Sequence, residues 1–261
     1  MIKKSEILKI FKLIKEFLIT LFDPKISFYA ASMSWATLFF IIPLLVIIFS
    51  IILHMPIFNE YYDKIHSLIA SYIVPTNSKV VMGWIDTFVN NAHKMGYIGA
   101  IYIIIAAVLF FRDYDFIVND IFDLPRRSFF KALGLYLTLL ILIPIILALI
   151  VWFITINNKI SFLKILSQFI LVWIIIFIIF KISPQEKLSF KVVAISSFIT
   201  SFVWSIAKTL FLLYVTYNKT YTTIYGAVSI VLFMFLWIYL SWVIFLHGLQ
   251  LCNMLTHEDD E

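Results

Sequence analysis

The chain has 261 residues, of which 63% are hydrophobic and 13% charged, and its formal charge is +5. A soluble domain carries about 25% charged residues and must keep a wetted exterior, so a water-soluble globule is excluded. Its one cysteine, Cys252, excludes an intramolecular disulfide or a paired-thiol metal site and reads as a buried apolar thiol.

Residues 1–26 come first. Ile7, Ile10, Phe11, Ile14, Phe17, Leu18 and Leu21 recur at helical spacing, with Lys9, Lys12, Lys15 and Glu16 mostly on the other side. This predicts a basic amphipathic helix, lying on the lipid surface or packed on the protein's own inner face. Its apolar residues are spaced, unlike the continuous core of a cleavable signal. The first span is therefore expected to serve as an uncleaved signal.

Residues 27–255 form the expected transmembrane domain. Crossing a hydrocarbon layer of about 30 Å takes about 20 helical residues. Six stretches qualify: 28–53 with Pro43 inside it, 96–118, 130–154 with Pro144 inside it, 162–180, 190–214 and 224–252. The last exceeds one span, so it is expected to tilt or protrude. Between the first two, a loop over 55–95 carries two apolar stripes: Phe58, Tyr61, Ile65, Ile69 and Tyr72, then Val81, Trp84 and Phe88. These suit short amphipathic helices at the outer interface. Residues 256–261 form an acidic tail.

The cations set the orientation. The N-terminal arm, the loop after the second span and the loop after the fourth span hold thirteen Lys and Arg, against six on the other side. The richer side is assigned to the cytoplasm, and an even number of spans returns both termini there.

Several polar features stand out in this apolar background. The apolar run from Gly96 to Phe111 is about 24 Å long, short of a full span. The helix must therefore carry Arg112, Asp113 and Asp115 to the inner headgroup zone. Arg112, Asp115, Asn119 and Asp123 fall at steps of three and four, hence on one face. They suggest an inner polar mouth for a cation, a proton or a headgroup, or else a self-neutralising helix end. In the fifth span Ser197, Ser201, Ser205 and Lys208 make a polar stripe. It could line a substrate path, or let helices pack closely. The small residues Ala30, Ala31, Ser32, Ser34, Ala36 and Thr37 suggest tight packing of the first span. His247 in the sixth span could shuttle protons or be structural.

Enzyme signatures are missing. The histidines His54, His66, His93, His247 and His257 are scattered, with no metal-binding spacing, and no phosphate-binding loop or nucleophile elbow occurs. No catalytic residue, cofactor or metal site is assigned.

Three regions carry a family resemblance. The first is Ala30-Ala31-Ser32-Met33-Ser34-Trp35-Ala36-Thr37 followed by Ile42-Pro43-Leu44-Leu45. The second is Asn119 followed by Asp123, Pro125, Arg126 and Arg127. The third is Tyr214, Tyr221 and Tyr225-Gly226, then Leu236-Trp237-Ile238-Tyr239-Leu240-Ser241 and Leu246-His247-Gly248-Leu249-Gln250. Together they resemble the YihY/BrkB family of bacterial inner-membrane proteins over nearly the whole chain from about residue 20. The resemblance implies an all-α, six-helix inner-membrane fold. Where the family pattern has a Glu, this chain has Gln250. Relatives have been labelled as a tRNA-processing ribonuclease, a serum-resistance virulence factor, or exporters of lipid or envelope precursors. RNA hydrolysis needs a metal or acid–base constellation in a basic cleft, which this sequence does not display, so no nucleic-acid partner is expected. The expectation is a transport-type protein for a lipid-like or amphipathic envelope substrate. Arg112, Asp113, Asp115 and Asn119 would form its inner mouth. Ser197, Ser201, Ser205 and Lys208 would line its path, with Tyr225 and Gly226 at the outer rim. Anionic lipid headgroups and a second copy of the chain are the expected partners. A scaffold for envelope assembly is the alternative.

Overall fold

A computed structural model describes residues 17, 19–53, 83, 87, 96–128, 130–132, 134–135, 138, 161–218, 225–226 and 228–259. Five long helices lie in these stretches: α1 Pro24–Leu53, α2 Gly96–Ile121, α3 Ser161–Ile182, α4 Phe190–Tyr217 and α5 Val228–Asp259. No strand occurs among the described residues. The expected third span, Tyr221, the outer loop and the first sixteen residues fall wholly or mostly outside them. Within the third span, residues 130–132, 134–135 and 138 are helical.

Helix ends follow local chemistry. Asp23 caps α1, its Oδ1 accepting from the Lys25 backbone N–H at 2.8 Å, and Pro24 opens the helix where no N–H partner is needed. So α1 begins inside the segment expected to be a separate N-terminal helix. It runs on through Pro43. At its other end α2 is stopped by Asp123, which has a φ of 51°. Leu124 N–H then reaches back to Asn119 O at 2.8 Å, the six-to-one bond of a left-handed helix cap. Asp tolerates this conformation better than most residues. α5 is 32 residues, about 48 Å, and continues through the first part of the expected acidic tail.

α5 packs against α4 and α1 and touches α2, while α3 packs on α4 and α2 on α1. α2 and α3 meet at one end, where Tyr114 and Ser183 hydroxyls bond at 2.7 Å. The five helices thus close around a core containing Ala30, Met33, Ile117, Val118, Phe180, Val193, Leu246 and Leu249. Trp242 ties this core together. Its Nε1 donates to Thr37 Oγ1 on α1 at 2.8 Å, and its ring leans on Phe110, Tyr114 and Phe245.

The burial pattern is the reverse of a soluble protein's. On α4, Ser196, Ser197, Thr200 and Ser201 are buried, while Phe198, Phe202, Ile206, Leu210 and Leu213 are exposed. In water such a helix would turn over. In lipid it is stable, because small and hydroxyl residues let helices approach and apolar side chains meet acyl chains. α4 and the Val228–His257 stretch of α5 are each long and apolar enough to cross a bilayer.

Candidate functional site

One end of the bundle gathers the buried polar groups Asp115, Asn119 and Ser183. The left-handed turn at Asp123 folds the chain back beneath α2, which brings Arg126 and Arg127 under the helix they follow. Arg126 stacks over the Phe116 ring at 4.6 Å. Arg127 enters the protein. Its Nη1 lies 3.6 Å from Asp115 Oδ1, and both side chains are about nine-tenths buried. Its Nη2 donates to Ser183 O at 2.7 Å. Asn119 donates from Nδ2 to Asp115 O at 2.8 Å. Gln185, in the loop after α3, donates to Asn119 Oδ1 at 3.2 Å and to Pro125 O at 2.5 Å.

A second group sits where α1 meets α2. Asp120 Oδ2 accepts from Lys25 Nζ at 2.6 Å and from Tyr29 OH at 2.7 Å. Burial works against the Asp120 charge, but the Lys25 ammonium and the Tyr29 hydroxyl more than offset it and hold the carboxyl below its ordinary range. The hydrogen bond to Asp120 raises the Lys25 pKa, against a smaller opposing effect of burial. A depressed carboxylate adds stability above its unfolded pKa and loses it as pH falls through the folded value; a raised lysine adds stability that is lost only at alkaline pH. Asp120→Asn is therefore expected to cost a few tenths to about 1 kcal/mol near neutral pH, since the pair is part-exposed and screened. The gap from wild type should close as pH drops below about 4. Thermal unfolding of both proteins in detergent across acidic and neutral pH checks this, and a gap independent of pH would contradict it.

A third group lies on α5. Asn253 donates from Nδ2 to Ile121 O at 2.8 Å, taking up a carbonyl at the end of α2. Among the described residues, five buried side-chain atoms make no hydrogen bond: Asp115 Oδ1, Arg127 Nη1, His247 Nδ1, Gln250 Oε1 and Asn253 Oδ1. Such groups are costly in a low-dielectric interior, and Asp115, Arg127 and Asn253 bring three of them to the end of α2. Cys252 is buried nearby as a free thiol, as its place in the sequence suggested.

The sequence-derived candidates divide. Asp115 and Asn119 are in the buried cluster. Arg112 and Asp113 are not. They pair with each other at 3.5 Å on the exposed side of α2, with side chains 67% and 41% exposed. Of the face drawn through Arg112, Asp115, Asn119 and Asp123, only Asp115 and Asn119 are buried, and the cation that meets Asp115 is Arg127. Arg112 and Asp115 are neighbours on α2, yet Arg112 is exposed beside Asp113 while Asp115 is buried against Arg127.

On α4, the hydroxyls of Ser197, Ser201 and Ser205 donate to Ala194 O, Ser197 O and Ser201 O at 3.2, 2.7 and 2.8 Å. Ser197 Oγ also accepts from Trp173 Nε1 of α3 at 3.0 Å. Lys208 is half-buried, its Nζ 6.0 Å from the centre of the Trp204 ring. Trp204 in turn donates from Nε1 to Ser241 Oγ of α5 at 3.1 Å.

Of the motif residues, Gly248 is buried and meets Thr200 of α4. Trp237 packs on Trp204 and Phe211. Gln250 keeps a buried Oε1 without a hydrogen bond, and Tyr225 and Gly226 are exposed just ahead of α5, Gly226 with φ +53°.

Sequence reasoning did not single out Ser183, Gln185, Asn253 or the Lys25–Tyr29–Asp120 group. The steps of three from His247 through Gln250 to Asn253 were a usable signal; the others depend on chain reversals.

Residues 21–261 match a protein family described as virulence factor BrkB. Among similar proteins, the UPF0761 membrane protein of Haemophilus influenzae strain 86-028NP is 31% identical, covering 89% of this chain and 91% of its own length. That of Aggregatibacter aphrophilus strain NJ8700 is also 31% identical, covering 91% and 89%. That of Mannheimia succiniciproducens is 30% identical, covering 88% and 85%. No solved structure matches.

Proposed function

Because this chain belongs to the virulence factor BrkB family, whose relatives here are UPF0761 membrane proteins, we propose that it provides a path for a lipid-like, amphipathic envelope substrate across the bacterial inner membrane. The observation that carries this reading is the buried charged cluster of Asp115, Asn119 and Arg127 at one end of a bundle whose exterior is apolar. A charge pair in such a place is costly and is found where polar cargo is handled. In this reading that end faces the cytoplasm, as do both termini. Anionic headgroups approach it past Lys25, Arg126 and Lys131. The α4 stripe of Ser197, Ser201, Ser205 and Lys208 lies along the route. No covalent step is assigned, no nucleic acid is bound, and a second copy of the chain would provide the other wall of the path.

A non-transporting scaffold in the envelope, consistent with the virulence-factor label, is the second reading. It is favoured by the α4 hydroxyls, which bond back to their own helix as packing serines do.

The experiment is flipping of fluorescent lipids in liposomes holding the purified protein. Transport predicts movement between leaflets well above empty vesicles for at least one anionic lipid class. Rates equal to empty vesicles for every class would leave the scaffold.

A further inference from the structure

Two loops meet at the buried charge pair. One is the turn after α2, residues 124–128, and the other joins α3 to α4, residues 183–189. Each donates to a carbonyl of the other. Arg127 Nη2 reaches Ser183 O at 2.7 Å, and Gln185 Nε2 reaches Pro125 O at 2.5 Å. Gln185 Nε2 also meets Asn119 Oδ1 at 3.2 Å, so the amide of one exposed residue ties both the turn and the end of α2. This reciprocal clasp closes over Asn119 and, through Arg127, over Asp115. They are 1% and 7% exposed.

The clasp is made of polar bonds at the surface, not of core packing. Pro125, Arg126, Ser128, Gln185 and Lys187 are all exposed. The bond from Gln185 to Pro125 is open to solvent, and water replaces such a bond with little net loss. The α3–α4 loop is anchored separately. Leu188 is buried in the core, Lys181 donates to the Leu188 carbonyl, and Tyr114 bonds the Ser183 hydroxyl. The loops can therefore part without unpacking the helices. Closure also leaves something unmet: Asp115 Oδ1 and Arg127 Nη1 lie 3.6 Å apart, and neither makes a hydrogen bond. Water entering between them would accept from one and donate to the other. Parting thus loses bonds that water replaces and hydrates two buried charged atoms, which brings the closed and open states near each other in free energy.

We propose that Gln185 is the latch of a gate, at which the turn after α2 and the α3–α4 loop part to admit water and a polar headgroup to Asp115 and Arg127. What enters rests on the lipid reading given above; the opening itself does not. Gln185 touches neither charged group. It acts by holding Pro125 and Asn119, and so by fixing the turn that carries Arg127.

The test is chemical modification of the full-length protein in lipid nanodiscs. Phenylglyoxal reacts with arginine, and the chain has three, Arg112, Arg126 and Arg127, whose rates fragment mass spectra separate. Arg112, 67% exposed, is the internal standard, and the buried thiol of Cys252, probed with a maleimide, reports opening of the whole bundle. In the wild type, Arg127 should react more slowly than Arg112 but to completion, while Cys252 stays protected. Gln185→Ala should speed Arg127 by about fivefold or more and leave Arg112 and Cys252 as they were, as local opening requires. An unchanged Arg127 rate in the folded variant would overturn the proposal. So would a rise that Cys252 shares. If the variant fails to fold, the wild type decides: an Arg127 that stays unmodified for as long as Cys252 is protected means that no gate opens. Because no lipid movement is read, a failed flipping assay and a failed gate remain distinguishable.

Discussion

Gly248→Ala is expected to destabilise the protein by about 1–3 kcal/mol, although alanine is the better helix former. A Cβ at this position would lie 2.8 and 2.9 Å from Thr200 Cγ2 and Cβ, and closer still to Oγ1. Thr200 cannot step aside cheaply. It is 3% exposed, its β-branched side chain is stiff, and its Oγ1 donates to Ser196 O at 2.7 Å. The α4–α5 contact is therefore set by a glycine whose missing side chain is occupied by a threonine. Thr200→Ala removes two of the three nearest atoms, so the double variant should recover part of the loss. Thermal unfolding in detergent, read by the fraction eluting as a single species, tests this. A Gly248→Ala protein as stable as wild type would show that the helices do not approach this closely.

Arg127→Met alone should cost more, about 3–5 kcal/mol, because it strands the Asp115 carboxylate in the interior. Arg127 is the cation nearest that carboxylate, and both side chains are about nine-tenths buried. The stranding argument predicts a specific rescue. Replacing both members with apolar residues, Asp115→Leu with Arg127→Met, should restore stability to within about 1 kcal/mol of wild type or beyond it. Unfolding of the two single variants and the double variant forms a closed cycle. Additive losses in that cycle would mean the two groups do not sense each other.

The helices themselves were legible in the sequence. Runs such as Phe190 to Tyr214 have no alternative in lipid, because an uninterrupted apolar stretch must close its own backbone hydrogen bonds. Their ends were less so. α5 runs to Asp259, past the expected limit, because a helix needs no apolar residues to continue beyond its apolar run. The polar residues that follow the apolar run of α2 were legible, and Asp115 and Asn119 among them are buried. What spacing along one helix could not show was which cation pairs with Asp115. Arg112 is three residues away and points outward. Arg127 is twelve away and arrives from below, because Asp123 adopts a left-handed turn. The same holds for Ser183 and Gln185, which the end of α3 delivers to the cluster. The serine stripe of α4 was visible as a pattern, but Gly248 opposite Thr200 and Trp173 opposite Ser197 are contacts between helices, and periodicity within one helix carries no information about its neighbour.

The apolar double variant also separates architecture from activity. The decisive measurement is lipid flipping by wild type and by Asp115→Leu/Arg127→Met, reconstituted side by side at equal folded amount. The account predicts that wild type moves an anionic lipid between leaflets and that the double variant, though folded, falls to the rate of empty vesicles. Equal rates in the two proteins, whether fast or absent, would contradict the claim that the buried charge cluster is where cargo is met.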